Sequence, residues 1–159
     1  MYEAGLPEPA PAQSSTTARP VEDKVLPRFE LTGDQYSVVL SGNDAAGEYS
    51  LYDIHALPCG GPGPHSHDFD EVFTVLRGEV QVTVRGRKAI LKAGSTVNIP
   101  ANAPHYFRDS KKQPVRMFCA RPLDGTEEPA TKVRRPVKRR TTTTPKLDET
   151  AQAALVARA

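Results

Sequence analysis

Short hydrophobic runs separated by turn signals fill the middle of the chain, and their pattern predicts β-strands. In one run, Val80, Val82 and Val84 alternate with polar residues, so that a single face of the strand is apolar. The run 72–76 is nearly continuous apolar, which is typical of a strand buried on both faces. The predicted strands cover residues 36–40, 49–57, 72–76, 80–84, 89–91, 96–99, 105–107 and 115–119.

The segments between these runs carry the residues that tight turns require. Gly42-Asn43-Asp44, Arg77-Gly78, Arg85-Gly86 and Ala93-Gly94 each separate two neighbouring runs. No segment between the strands has a convincing helical period. Many short strands joined by closely spaced turns predict an all-β domain, either a sandwich or a small barrel.

Composition divides the chain into three zones. Residues 1–23 are rich in Pro, Ala, Ser and Thr and bury too little apolar surface to offset chain entropy, so we predict a disordered N-terminal tail. Residues 24–122 hold the predicted β-domain. Residues 123–159 begin as a basic linker, also predicted to be disordered, and end with the pattern of a short helix for which Thr144 is the N-cap.

The charge of the chain is unevenly distributed. The 159 residues carry a formal net charge of +2, yet six basic residues lie within Lys132–Arg140, so the rest of the chain is acidic on balance. This basic cluster has no interleaved aromatic residues and no binding fold around it. We therefore interpret it as a solvated tail, and a nucleic-acid partner is not expected.

Cysteine usage and hydrophobicity indicate the compartment. Cys59 and Cys119 are far apart and form no motif, which favours free thiols in a reducing environment. No apolar run approaches the length of a membrane-spanning helix, and the N-terminus lacks the basic start and apolar run of a secretory signal. We expect a cytoplasmic protein without a membrane partner.

Three of the four histidines and one glutamate form two short clusters. His65, His67 and Glu71 lie close together, and His105 follows Pro104. Residues two apart in an extended segment point the same way, so the first three side chains share one side. An inward carboxylate is costly to keep ionised unless a cation lies beside it. Because imidazole and carboxylate are good ligands for divalent first-row metals, the four residues are predicted to bind one such ion.

The two clusters resemble the two sequence motifs of the cupin superfamily. The segment Gly60–Gly78 has two histidines one residue apart, a glutamate after three more residues and a glycine after six more. The segment Gly94–Asp109 has a glycine, five residues, Pro100, and then a turn and His105. All four predicted metal ligands thus stand at the ligand positions of the motifs.

Two positions depart from the second motif. Asn102 stands where the motif usually has glycine, and Asn tolerates left-handed backbone, so we expect the turn to be kept. Asp109 stands where the family often has asparagine, and we assign it no metal role. The resemblance covers residues 24–122 and leaves both tails unexplained.

The resemblance implies a single double-stranded β-helix, or jelly-roll, barrel of the small, quercetin dioxygenase-like type. It also implies one divalent transition metal held by His65, His67, Glu71 and His105. Such a donor set leaves open coordination positions and suits Fe, Mn, Ni, Co, Cu or Zn. Small cupins commonly pair through their sheets, and an exposed sheet edge favours pairing, so we expect a homodimer.

The leading functional hypothesis is an oxygenase that acts on a small enediol, catechol or flavonol-like substrate. Glu71 is the predicted catalytic residue, because the resemblance implies that the glutamate leaves the metal transiently and accepts the substrate proton. Two alternatives stay open. One is a redox-neutral isomerase, epimerase or lyase that acts on a sugar acid or hydroxy-carbonyl compound, and the other is a non-catalytic protein that binds a small ligand.

Other residues are weaker candidates for the site. His55 lies outside both motifs, and we interpret it as an ordinary strand histidine. Tyr52, Tyr106 and Arg116 are polar enough to touch a ligand, although the sequence leaves their orientation open. A further four apolar residues are interpreted as barrel core rather than as pocket lining: Phe73, Val75, Phe107 and Met117.

Overall fold

The structure, a computed structural model, describes residues 20–22, 26–58, 60–109 and 113–122, and the backbone of residues 135–136. These residues form strands and one 3-10 turn at Gly42–Ala45. The strands are β1 (Arg28–Leu31), β2 (Asp34–Leu40), β3 (Tyr49–Ala56), β4 (Glu71–Arg77), β5 (Glu79–Val84), β6 (Arg87–Lys92), β7 (Thr96–Ile99), β8 (His105–Asp109), β9 (Val115–Pro122) and β10 (Arg135–Pro136).

The strands form two antiparallel sheets that share one core. The larger sheet has the order β10-β1-β2-β3-β9-β4-β7, and the smaller has the order β6-β5-β8. Phe73 of β4 packs against Phe107 of β8, with 4.5 Å between ring centroids, so the core lies between the two sheets. Val75, Val80 and Val82 belong to the same core. This two-sheet arrangement confirms the all-β prediction.

Each predicted strand is present, and the predicted turns lie between them. Gly78, Gly86 and Gly94 have positive φ angles of 89°, 78° and 89°, which glycine adopts without steric cost. Asn102 has a φ of 59°, so asparagine does occupy the left-handed turn position where the motif usually has glycine. The hydrophobic pattern did not predict β1 or β10.

The prediction that 72–76 is buried on both faces is wrong. Phe73 and Val75 are buried, whereas Val72 is 37% exposed and Leu76 is 38% exposed. The reason is that β4 lies between β7 and β9 in an antiparallel sheet, and only its core face is covered. Continuous apolar runs are more typical of parallel sheets, which have helices on both faces.

Several predictions concern residues outside the described part of the chain. They include Cys59, the side chain of Asp109, the disorder of residues 1–19, the C-terminal helix from Thr144 and the side chains of the basic cluster. One short contact with the predicted linker is described, because β10 pairs with β1 through Phe29 with Pro136 and Glu30 with Arg135. Among the residues that the structure describes, no helix has the length and hydrophobicity to cross a membrane.

Candidate metal centre

Backbone hydrogen bonds bring the two motif segments together. The amide of His65 donates to the carbonyl of His105 at 3.1 Å, and the amide of His105 donates to the carbonyl of His65 at 2.8 Å. The amide of Asn102 donates to the carbonyl of His67, so the left-handed turn also joins the first motif. The two imidazole centroids of His65 and His105 consequently lie 4.3 Å apart, although the residues are distant in sequence.

A second connection holds the loop before Glu71 in place. The carboxylate of Asp70 accepts hydrogen bonds from the side-chain amide of Asn98 at 3.1 Å and from the backbone amide of Ala101 at 2.9 Å. These two hydrogen bonds lower the pKa of Asp70. Asp70 therefore links the start of β4 to the loop that leads to His105, a role that the motif spacing did not indicate.

The four predicted ligands converge. One potential ligand atom from each of His65, His67, Glu71 and His105 lies within 4.8 Å of the others. The Oε2 atom of Glu71 lies 3.3 Å from Nε2 of His105 and 3.6 Å from Nε2 of His67. Glu71 and His105 are buried, and the other two histidines are half-buried. The sequence prediction that these side chains form one cluster is thus confirmed by the geometry.

Backbone carbonyls fix the tautomer of two of the imidazoles. The Nδ1 atom of His65 lies 2.9 Å from the carbonyl oxygen of Gly63, and Nδ1 of His105 lies 2.9 Å from that of Ala103. A carbonyl oxygen only accepts hydrogen bonds, so each ring donates through Nδ1–H. The lone pair of each neutral ring is then on Nε2, as in metal sites whose ligands are oriented by outer contacts. In His105 this atom lies 3.3 Å from Oε2 of Glu71.

The other carboxylate oxygen of Glu71 has a different neighbour. The thiol of Cys119 lies 4.0 Å from Oε1 and can donate a weak hydrogen bond to it. Burial raises the pKa of Cys119 well above its usual value, and the nearby charge of Glu71 raises it further, so the thiol keeps its proton. Oε2 therefore faces the imidazoles while Oε1 contacts the core.

The environment sets the protonation of the site. Burial lowers the pKa of His65 to about 4, against the opposing effect of the Gly63 carbonyl. Burial raises the pKa of Glu71, but contact with His105 and the charges of His67 and Arg121 outweigh it and leave the net pKa lowered. Burial likewise lowers the pKa of His105, yet contact with Glu71 and the Ala103 carbonyl raise it overall. An ionised Glu71 and a neutral His65 are the states that metal binding requires.

These residues fit a divalent transition metal. The buried Nε2 atom of His105 has no hydrogen-bond partner among the described residues, although Oε2 of Glu71 lies nearby, and a buried polar atom of this kind is costly unless something else binds it. Metal–nitrogen bonds of about 2.1 Å place neighbouring ligand atoms about 3 Å apart. Oε2 of Glu71 lies 3.3 Å from Nε2 of His105 and 3.6 Å from Nε2 of His67, near this spacing. Three nitrogens and one oxygen do not select one metal among the first-row ions.

The weaker candidates fall on different faces of the sheets. Tyr52 is buried in the core, whereas His55 has the opposite parity on β3 and lies on the outer face. Arg116 of β9 forms a 2.7 Å ion pair with Asp53, and this pair also lies on the outer face. Tyr106 lies on the outer face of β8, since its neighbours in the strand are the buried His105 and Phe107.

The residues interpreted as core are buried as expected. All four belong to the hydrophobic core cluster of the described residues: Phe73, Val75, Phe107 and Met117. Residue patterns did not identify Arg121, whose charge acts on Glu71, or Cys119 as part of the site. One sequence signal could have placed Cys119 and Arg121 near the site, namely their position on β9. Residues 117, 119 and 121 share one face of this strand, and Met117 on that face is a core residue.

Comparison with known proteins agrees with this geometry. Residues 54–121 match the family model described as "Cupin domain". Quercetin 2,3-dioxygenase of Bacillus subtilis is 35% identical over 83 residues, which are 49% of this chain. The match spans only 24% of that relative, so the chain corresponds to about a quarter of its length.

Solved structures share the fold at lower identity. The polyketide cyclase RemF from Streptomyces resistomycificus superposes with a TM-score of 0.64 at 17% identity, covering 89% of this chain and 96% of that one. An RmlC-like cupin from Shewanella frigidimarina gives a TM-score of 0.59 at 16% identity, covering 75% of this chain and 98% of that one. At these identities the likeness establishes the fold alone. Residues 54–121 therefore form a cupin domain within the described barrel.

Proposed function

We propose that this protein is a metal-dependent oxygenase that acts on a small enediol, catechol or flavonol-like substrate. The observation that carries the proposal is the cluster itself, in which the Nε2 atoms of His67 and His105 lie 3.6 and 3.3 Å from a buried, ionised Glu71. Three imidazoles and one carboxylate leave coordination positions for a substrate, unlike a closed structural zinc site. The distant similarity to a quercetin dioxygenase supports oxygen chemistry over other uses of the centre.

Each part of the site has a separate role in the proposed reaction. His65, His67, Glu71 and His105 would hold a divalent ion, which would supply Lewis acidity toward an enolate or catecholate. Glu71 accepts the proton of a substrate hydroxyl, because its lowered pKa keeps it ionised and Cys119 keeps one of its oxygens oriented. The buried ring of Phe107 lies 6.3 Å from that of His105 and packs against Phe73, so the core side of the site is apolar.

The proposal is tested by an oxygen-electrode screen. The full chain is loaded separately with Fe²⁺, Mn²⁺, Co²⁺, Ni²⁺ and Cu²⁺ and offered catechols, flavonols and enediols. We expect oxygen uptake coupled to substrate loss with at least one metal. Glu71→Gln should lower the rate about 100-fold or more, because a general base typically contributes that factor. The control Glu79→Gln removes a carboxylate of β5 that pairs with Lys92 at 4.0 Å, and it should keep the wild-type rate.

Other outcomes would contradict the oxygenase. Substrate turnover that continues unchanged without oxygen would indicate the redox-neutral isomerase, epimerase or lyase. Metal and ligand binding without any turnover would indicate a binding protein. Equal rates for Glu71→Gln and the wild type would contradict the role of Glu71 as the base.

A further inference from the structure

Arg121 lies on the inner face of β9, beside the candidate metal centre. Val115, Met117 and Cys119 are buried core residues at alternate positions of this strand, and Arg121 is the next position of the same parity. The two strands next to β9 both contribute to the core. The last inward position of β9 therefore carries a guanidinium group where the preceding ones carry apolar or thiol side chains.

The register of β4 and β9 places Arg121 next to Glu71. Phe73 pairs with Cys119, and Val72 pairs with Ala120. One further step of this antiparallel register puts Glu71 opposite Arg121 on the inner face. Residues directly opposite each other have Cβ atoms about 5 Å apart, so the two side chains are neighbours. The influence of Arg121 on the pKa of Glu71 agrees with this placement.

Aromatic rings hold the guanidinium group in position. Its central carbon lies 5.4 Å from the centroid of the Tyr52 ring and 5.6 Å from that of the Phe69 ring, within cation–π range. Phe69 in turn stacks on His67 with 4.8 Å between centroids and 10° between planes. Arg121 is thus connected to a candidate metal ligand through a single ring, and its position is fixed relative to the centre.

The charge of this region favours an anionic ligand. The charge of Arg121 is close enough to Glu71 to lower the pKa of that carboxyl group. A divalent ion with three neutral imidazoles and one carboxylate remains positive, so metal binding leaves Arg121 beside a second positive centre in a half-buried site. Two adjacent positive groups raise the affinity for a ligand that carries negative charge near both. A guanidinium group also matches the planar, two-oxygen geometry of a carboxylate.

We propose that Arg121 binds a carboxylate group of the substrate, and that the substrates are therefore carboxylated catechols or enediols rather than neutral ones. This inference rests on the proposed function, because it concerns a ligand whose adjacent oxygens reach the same metal centre. Arg121 acts here as a ligand-binding residue that determines specificity. The competing interpretation is that Arg121 serves only as a counter-charge for Glu71.

Paired ligands separate the two interpretations. The full chain is loaded with Zn²⁺, which does not oxidise catechols, and titrated by calorimetry with catechol and with 3,4-dihydroxybenzoate. We expect the wild type to bind 3,4-dihydroxybenzoate about tenfold more tightly or better, because a charge-assisted bidentate contact is among the stronger hydrogen bonds. Arg121→Gln should remove most of this preference, and Arg121→Lys should keep part of it.

Arg108→Gln is the matched control. Arg108 also lies over a tyrosine ring, 5.5 Å from the centroid of Tyr106, but it is exposed on the outer face of β8. Its replacement should leave both affinities unchanged. The ratio of the two affinities in the wild type needs no variant, so it tests the proposal even if Arg121→Gln fails to fold.

The binding results that would contradict the role of Arg121 differ from those that would contradict the proposed function. Equal affinities in the wild type would overturn the role of Arg121 while leaving the proposed function intact. A preference that survives in Arg121→Gln would also overturn it. If Arg121→Gln weakens both ligands equally, Arg121 supports Glu71 and does not bind the carboxylate. If neither ligand binds the loaded wild type, the proposed substrate class is contradicted and this inference fails with it.

Discussion

The two carboxylate oxygens of Glu71 have separate surroundings. Oε2 lies within 3.6 Å of two imidazole nitrogens, and Oε1 lies 4.0 Å from the thiol of Cys119. A carboxylate with one oxygen held by a neighbouring donor presents the other in a defined direction, and such outer contacts tune metal affinity. Cys119 is therefore expected to matter through Glu71, without touching the metal.

Two substitutions of Cys119 distinguish the effect of its S–H hydrogen-bond donor from the effect of its side-chain volume. Cys119→Ala removes the hydrogen bond to Glu71 and should weaken metal affinity about tenfold, the lower range for outer-contact residues. Cys119→Ser keeps a donor at the same position and should lose less. Competition with a chromogenic chelator measures both affinities, and circular dichroism checks the fold. Identical affinities for the wild type and Cys119→Ala would show that the thiol does not orient Glu71.

Motif spacing was enough to predict the four clustered residues but not their surroundings. His65, His67, Glu71 and His105 are recognisable because imidazoles and carboxylates at these intervals are rare without a shared function. Arg121 and Asp70 are ordinary charged residues in the sequence. Their roles depend on strand register and on loop hydrogen bonds, which pair residues far apart along the chain and leave no local pattern.

At the scale of the strands, β4 shows how a hydrophobic run can mislead. Its apolar residues alternate between the core and an exposed face, so equal hydrophobicity does not imply equal contribution to stability. Val75 is 0% exposed, and Val72 is 37% exposed. The two valines provide a matched pair within one strand.

Val75→Ala should lower the free energy of unfolding by about 2 kcal/mol, because it leaves a cavity in the core. Val72→Ala should cost less than about 1 kcal/mol, since its side chain already contacts solvent. Urea unfolding of both variants at the same metal content measures the difference. Equal losses would mean that the outer face of β4 is covered in solution.

The turn between β4 and β5 makes a second matched comparison. Gly78 and Gly86 both have left-handed φ angles, but a Cβ at Gly78 would lie 3.2 Å from the Pro114 carbonyl oxygen and from the Val115 side chain. A Cβ at Gly86 would meet nothing within 4 Å. Gly78→Ala should therefore cost about 1 kcal/mol more than Gly86→Ala, beyond the backbone strain that both share. Equal unfolding free energies for the two variants would contradict this close approach.

The strands that the sequence did not predict have weak local signals. β1 comprises only four residues, and although Phe29 and Leu31 alternate with Arg28 and Glu30, so short a run is a weak strand signal. Its Glu30 is also buried, which the sequence does not indicate. β10 comprises two residues and pairs with β1 from the far end of the chain. Strands of this kind are specified by the neighbours that they pair with, which a single sequence does not reveal.

At the scale of the whole molecule, the fold explains why the site could be predicted. Turns with glycine at positive φ join successive strands, and the two sheets enclose an apolar core. Ligands from two motifs then meet because His65 and His105 exchange backbone hydrogen bonds. The barrel topology thus brings the ligands together, and in the sequence only the spacing of the motif residues indicates the cluster.

The homodimer remains a prediction at this scale. β7 is the last strand of the larger sheet, and β6 is an outer strand of the smaller one, with Ile90 of β6 48% exposed. Outer strands favour pairing, although the charged residues of β6 oppose it. We expect light scattering coupled to size exclusion to give twice the mass of one chain, and a monomer mass would contradict this expectation.

The central claim is that one metal ion is held by His65, His67, Glu71 and His105, and metal stoichiometry tests it most directly. The chain is incubated with Co²⁺, dialysed and analysed for cobalt per chain by mass spectrometry. His55→Ala removes the fourth histidine, which lies on the outer face of β3, and serves as the control. We predict about one ion per chain for the wild type and for His55→Ala, and almost none for His105→Ala. Equal cobalt in His105→Ala and the wild type, or none in the wild type, would contradict the claim.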